Sequence, residues 1–321
     1  MDLDKNILGI DHGTSYCCVS TYKDGGLVII PNGVGERTTP SVVIFDSPDK
    51  IFIGEETLHR LPKNKTMKLY EIKRLIGKKY DEIKDLLDYF PFKIIKEPNG
   101  DRPMIQMSFG GLNQVTYFPE QIATLIFKKL IDNAEAFLNQ KITHVLITVP
   151  ADFSENQKTM VKFAAEKVEG VKVIRVLNEP CAAVLAYGFP KFILEKKFAP
   201  FNKYFSLVKN NSVFHPMEEM SIISSTNLEH SNNNSENGIS LITNEINNEE
   251  VINSLNNNMN INENLIKNSL LTQNKDLMKI IVFDFGGGTY DVSLVYLDKD
   301  KTFEAKWYDG DQKLGGSDFD N

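Results

Sequence analysis

Residues 283–291 read FDFGGGTYD, three consecutive glycines between two aspartates at the end of an apolar run. Glycine loses more backbone entropy on folding than any other residue, so a triplet there has to be offset by something that only glycine allows. The flanking runs MKIIVFDF and YDVSLVYL both read as strands, the second with Val292, Leu294 and Tyr296 on one face. A dinucleotide fingerprint or a P-loop needs a helix after its glycines, so both are excluded. What remains is a strand–turn–strand hairpin whose backbone N–H groups converge on one concavity, a nest for an anion such as phosphate.

The same device stands at the other end of the chain. Ile10-Asp11-His12-Gly13-Thr14-Ser15-Tyr16 also lies between two strand-like runs, with acid, glycine and hydroxyl residue in the same order. One D-x-G by itself is an ordinary turn. Two of them, each opening a meander, can hold a polyphosphate from opposite sides. Mg²⁺ takes few carboxylates and keeps several waters, so facing aspartates Asp11 and Asp284 suit it, with Asp291 as a further member.

Between the hairpins the pattern is α/β. ILGID, YCCVSTY, LVIIP and, after RTTP, SVVIF predict a β-meander. Residues 119–139 begin with Pro119 and place Ile122, Leu125, Ile126, Leu130, Ala134, Phe137 and Leu138 at helical spacing. THVLITVP predicts a buried strand, Ser154 and Gly170 bracket a second helix, VKVIRVL is a further strand, and Pro180 starts a small-residue helix CAAVLAYG. Alternating strands and helices imply a sheet with crossover helices. From 191 to 277 the periodicity collapses. Asn227 to Asn274 hold 17 asparagines in 48 residues and no aromatic residue, a composition expected to form a disordered insertion. After order resumes, TFEAKWY completes a second meander.

A net charge of −7 and the lack of a long basic run argue against nucleic acid as a partner. No uncharged apolar stretch is long enough for a bilayer span, and MDLDKNILGI is not a signal peptide. Cys17, Cys18 and Cys181 have neither disulfide nor metal-ligand spacing, which suits a reducing, cytoplasmic compartment. Trp307, Met104 and Met107 are read as packing residues.

The two glycine hairpins resemble the phosphate loops of the actin-like ATPase superfamily. NGVGERTTPSVVIF, EIKRLIGKKY, ITVPADF, LNEPCAAVLAYG and LGGSDFDN resemble the heat shock protein 70 chaperones over residues 6–190 and 278–321. The resemblance implies a bilobal actin-like (ribonuclease H-like) ATPase fold: lobe I at 1–190, the insertion at 191–277, and at 278–321 the start of a second lobe that is incomplete at Asn321. It implies ATP/ADP and Mg²⁺ in the cleft. Asp11 and Asp284 would hold the Mg²⁺ through its water shell, with Glu179 and Asp291 as the remaining carboxylates around metal and attacking water. Gly13, Thr14, Ser15, Tyr16, Gly286, Gly287, Gly288 and Thr289 would line the phosphates. Lys73 would sit beside the γ-phosphate, and Pro150 would be a switch proline. Phosphoryl transfer to water needs positioning and charge neutralisation more than covalent help, which these residue types supply. The implied partners are J-domain co-chaperones and nucleotide-exchange factors, with client polypeptides bound through domains outside this sequence.

Departures from the family's pattern are specific. His12 stands where an apolar residue is usual; a neutral imidazole can be accommodated at a loop tip, whereas a buried, charged one would perturb the first phosphate loop. Cys181 replaces a Thr or Ser. Asp152 and Lys158, in ADFSENQK, look like ribosome-associated members of the family, some of which work without hydrolysing ATP. An adaptor of that kind, or an inactive fragment, is the alternative to an ATP hydrolase.

Overall fold

The computed structural model describes residues 7–24, 26–109, 114–193, 238–242, 278–287, 289–297, 303–311 and 315–316. The chain is mixed α/β. It opens with β1 (Ile7–His12), β2 (Tyr16–Lys23) and β3 (Gly26–Ile29), an antiparallel meander that turns at Asp24, whose φ is 51°. β4 (Thr38–Pro40) adds to the free part of β2, with Pro40 opposite Tyr16 and Thr39 opposite Cys17. The expected fourth strand of the meander then leaves. β5 (Val42–Ser47) joins a separate three-stranded sheet with β6 (Lys50–Ile53) and β7 (Lys68–Tyr70). The reason is local: the edge of β2 beside Tyr16 is already taken by β4, and β5 buries Val43, Ile44 and Phe45 in succession, more than one sheet face can cover. A third sheet is made by β8 (Lys93–Lys96), β9 (Pro103–Ser108) and β10 (Gln114–Tyr117).

Helix α1 (Pro119–Leu138) has Pro at its first turn and ends at Asn139 in the left-handed region, φ 52°. It buries Ile122, Ile126, Leu130, Ala134 and Leu138, as the spacing predicts, together with Ala123, Phe127 and Ile131. Phe137, on the same face by spacing, is half exposed in the last turn. Periodicity assigns a face but not the point at which the covering layer ends.

β11 (His144–Val149) then returns parallel to β1, and β12 (Lys172–Asn178) lies parallel to β11. Between them runs α2 (Glu155–Glu166), started by a reciprocal cap in which the Ser154 hydroxyl accepts from the Gln157 N–H and the Gln157 side chain accepts from the Ser154 N–H. The main sheet therefore has the order β12-β11-β1-β2-β3, and its core includes Leu8, Ile10, Val145, Ile147 and Val173 against α1 and α2 residues.

α3 (Glu179–Ile193) follows β12 with no intervening loop. Strand β13 (Gly238–Ile242) lies within the Asn-rich tract and pairs antiparallel with β14 (Met278–Phe285); the rest of that tract lies outside the described residues. β15 (Tyr290–Leu297) and β16 (Phe303–Asp311) complete the second meander. Cys181, Ala183 and Val184 of α3 pack on Ile280, Val282 and Val295, joining this sheet to the helix. Val295 faces opposite to the Val292–Leu294–Tyr296 stripe, so β15 is covered on both sides, as its burial pattern shows. Met107 is buried, and Met104 and Trp307 are half buried.

Candidate functional site

The two hairpins meet with their turns toward one cleft. Its walls include Thr14 and Lys73 from the first part of the chain, Pro150 and Asp152 after β11, and Thr289 and Asp291 from the second hairpin.

Asp11, next to last in β1, lies opposite Cys18 of β2 and beside Thr148 of β11, whose hydroxyl donates to the Asp11 carboxylate at 2.9 Å. Gly13 follows. A Cβ there would lie 2.0 Å from the Tyr16 carbonyl oxygen, a position no side chain can share. Ser41 borders the same loop: its N–H donates to the Ser15 carbonyl at 2.8 Å and its hydroxyl to the Gly13 carbonyl at 2.8 Å. Thr14 and Ser15 are half exposed and Tyr16 is exposed.

His12 is not at a loop tip. It is 2% exposed in the last position of β1, with its ring 4.8 Å from that of Phe127 and no hydrogen-bond partner for Nδ1. Burial, with Lys73 adding to it, pulls its pKa down to about 3. Burial thus favours the neutral ring near pH 7, and it takes an apolar residue's place by packing like one.

Lys73 sits in a short turn of 3₁₀ helix, Ile72–Arg74, entered through Glu71 in the left-handed region at φ 53°. The Glu71 carboxylate is held by Arg74 Nε at 2.8 Å and by the Tyr89 hydroxyl at 2.9 Å. A lysine that spacing alone would place on a solvated helix is 6% exposed, and its ammonium lies 2.7 Å from Glu179 Oε1. Glu179 is the first residue of α3, set at the end of β12. Burial pushes its carboxyl up to about 8 against the pull of Lys73, with Asp11 and Asp284 adding to the rise. Burial lowers the Lys73 pKa, but Glu179 and Asp11 outweigh it and hold the ammonium charged above its ordinary value.

In the second hairpin Asp284 and Asp291 are directly opposite each other across β14 and β15. Like charges facing across a ladder destabilise it. Burial raises the Asp284 carboxyl and Asp11 raises it further. Asp291 is pushed up to about 7 by burial first, then by Asp152 and Asp284. The turn is closed by the Gly286 N–H donating to the Thr289 carbonyl at 2.8 Å, and the Gly286 carbonyl accepts from the Gly316 N–H at 2.9 Å. Gly287 and Thr289 are half buried in this turn, and Gly288 lies outside the described residues.

Pro150 is buried at the end of β11, its carbonyl accepting from the Phe153 N–H at 3.3 Å. Asp11, Lys73, Glu179, Asp284 and Asp291 are thus one electrostatic group, more acidic than basic. Among the described residues no three His, Cys, Asp or Glu side chains are close enough to chelate a metal directly. Carboxylates that raise one another's pKa are a place where a bound cation would relieve like-charge repulsion. Sequence reasoning passed over Ser41, Thr148 and Arg74 as site residues, because each is recruited through the fold and carries no motif of its own.

Two comparisons bear on this arrangement. The family model described as Hsp70 protein matches residues 7–201 and 266–321. Over 316 residues, 98% of this chain, the sequence is 31% identical to heat shock cognate 70 kDa protein 3 of Dictyostelium discoideum. The chain belongs to the Hsp70 family. It covers 37% of the length of that relative.

Proposed function

We propose that this chain provides the nucleotide-binding cleft of an Hsp70-type molecular chaperone, with ATP and its Mg²⁺ held between the two glycine hairpins and ATP hydrolysed to ADP. The observation that carries the reading is the convergence on one cleft of residues far apart in sequence: Thr14, Lys73 and Pro150 with Thr289 and Asp291. In this reading residues 1–190 are lobe I of a bilobal actin-like fold, 191–277 an insertion, and 278–321 the opening of lobe II.

Roles follow from chemistry. Amides of the Thr14–Tyr16 and Gly287–Thr289 segments face the phosphates, with Gly13 and Gly286 lining them; the Gly286 N–H is spent on the Thr289 carbonyl. Asp11 and Asp284 would hold the cation through its water shell, with Glu179 and Asp291 as the remaining carboxylates; when bound, the cation would supply charge neutralisation of both carboxylates and polyphosphate. Lys73, charged and fixed by Glu179, stabilises negative charge developing on the γ-phosphoryl group and orients the attacking water. Pro150, joining β11 to the cleft, is the relay for nucleotide state. Coupling to folding of client polypeptides, with J-domain co-chaperones and nucleotide-exchange factors, belongs to the whole protein, as does a cytoplasmic stress role. No helix among the described residues is long and apolar enough to cross a membrane.

The test is calorimetric binding of MgATP together with phosphate release. Lys73→Ala should lower turnover by about a hundredfold or more while MgATP still binds. Unchanged turnover would remove Lys73 from the mechanism, and no MgATP binding by the unmutated chain would sink the reading itself. A second reading, a ribosome-associated adaptor that does not hydrolyse ATP, draws on Asp152, whose charge faces Asp291. It requires co-sedimentation with ribosomes and MgATP binding without phosphate release.

A further inference from the structure

An anion-binding turn has to solve a sign problem. Each residue that offers an N–H to a phosphate also carries a carbonyl, and a carbonyl turned toward the same phosphate repels it. In the first loop two such carbonyls, those of Gly13 and Ser15, end on one residue. The Ser41 N–H takes Ser15 at 2.8 Å and the Ser41 hydroxyl takes Gly13 at 2.8 Å.

Ser41 is brought there by β4, which lays Pro40 opposite Tyr16. Its hydroxyl has one proton, used on Gly13, so the contact with Cys17 Sγ at 3.2 Å has the thiol as donor. The result is a chain of donors, Cys17 S–H to Ser41 O–H to the Gly13 carbonyl. Ser41 is 3% exposed and Cys17 1%, so water has no access to replace a missing member. In the second hairpin the Gly286 carbonyl is taken instead by a backbone N–H, that of Gly316.

We propose that Ser41 is a positioning residue for the first phosphate loop: by taking up the Gly13 and Ser15 carbonyls it leaves the N–H groups of Thr14 to Tyr16 as the face presented to phosphate. This rests on the reading of that loop as a phosphate site. Ser41 itself touches no ligand.

The experiment uses the full chain with two probes, MgATP and Mg-tripolyphosphate, the second having no nucleoside. Ser41→Ala should weaken both by about tenfold, the loss expected for one buried hydrogen bond, with its melting midpoint checked beside the unmutated chain. Ser41→Thr, which restores the hydroxyl, should recover the affinity. A merely structural role would lower the melting midpoint without a loss common to both probes that the hydroxyl rescues. Ser41→Ala binding both probes as tightly as the unmutated chain overturns the proposal alone. An unmutated chain that binds neither probe overturns the phosphate-site reading, and the proposal with it. Should Ser41→Ala not fold, Cys17→Ala removes the donor to the Ser41 hydroxyl together with a buried sulfur; about a twofold weakening of both probes, beyond any shift of the melting midpoint, supports the proposal and none overturns it.

Discussion

The two hairpins share a sequence pattern and differ in how they are held. The first is locked from outside: Asp11 is bonded to Thr148 of a neighbouring parallel strand, Gly13 and Ser15 to Ser41, and His12 is packed on Phe127. The second is closed mainly by itself, through the Gly286 to Thr289 bond, and it places Asp284 and Asp291 face to face. One jaw is braced by neighbouring elements and carries a single carboxylate; the other places two carboxylates face to face. The contrast teaches that a glycine turn can be specified by packing or by the ligand it awaits, and that the sequence motif is the same in both cases.

Glycine substitution separates the two most sharply. Gly13→Ala would place a methyl 2.0 Å from the Tyr16 carbonyl, so the loop must open. A loss of about 1–3 kcal/mol in stability and of MgATP affinity is expected, read by chemical denaturation and calorimetry. A Gly13→Ala chain with unmutated stability would show that the first jaw is not braced.

The charge contrast is tested by pH. The folded-state pKa of Asp291, at about 7, lies above its ordinary value, so the folded chain binds more protons than the unfolded chain between about pH 4 and 7. Stability from this group is present below the ordinary carboxylate range and is lost as pH rises through 7. Melting midpoints measured without divalent ions should therefore fall from pH 5 to pH 8, and Asp291→Asn should flatten that fall. Adding Mg²⁺ should restore stability at pH 8 in the unmutated chain more than in the variant. Parallel curves for the two would mean that Asp291 is already compensated.

The smallest effect is expected at Gly286→Ala. Its Cβ would stand 3.4 Å from the Thr289 carbonyl and 3.6 Å from the Thr289 hydroxyl, ordinary contacts. The stability change should stay within about 0.5 kcal/mol by denaturation. A loss matching that of Gly13→Ala would erase the distinction between the jaws.

Local chemistry made much of the fold legible. The Ser154 cap, Pro119 at the start of α1 and the apolar runs of β11 and β14 all carry their structure in a few adjacent residues. What was not legible depends on distant partners. β5 leaves the first meander because β4 occupies its place, which no residue within SVVIF announces. At the site, the glycine hairpins were visible as motifs. The pairing of Lys73 with Glu179 spans 106 positions; resemblance assigned each residue a place in the cleft but did not pair them. Ser41 and Thr148 were invisible, because a hydroxyl has no motif until the fold puts a carbonyl or carboxylate beside it.

The parallel pairing of β1 with β11 also sets a timetable. Strand β1 can fold back on β2 as soon as both have been made, but its other edge stays open until residues 144–149 exist. At ordinary rates of protein synthesis that delay is on the order of ten seconds. For that interval a nascent chain carries an apolar strand with unpaired backbone groups, a template for wrong pairing. Asp11 receives the Thr148 hydroxyl only when the interval ends. A protein whose family assists the folding of others therefore begins its own life with a long-exposed edge, at the strand that leads into its first phosphate loop.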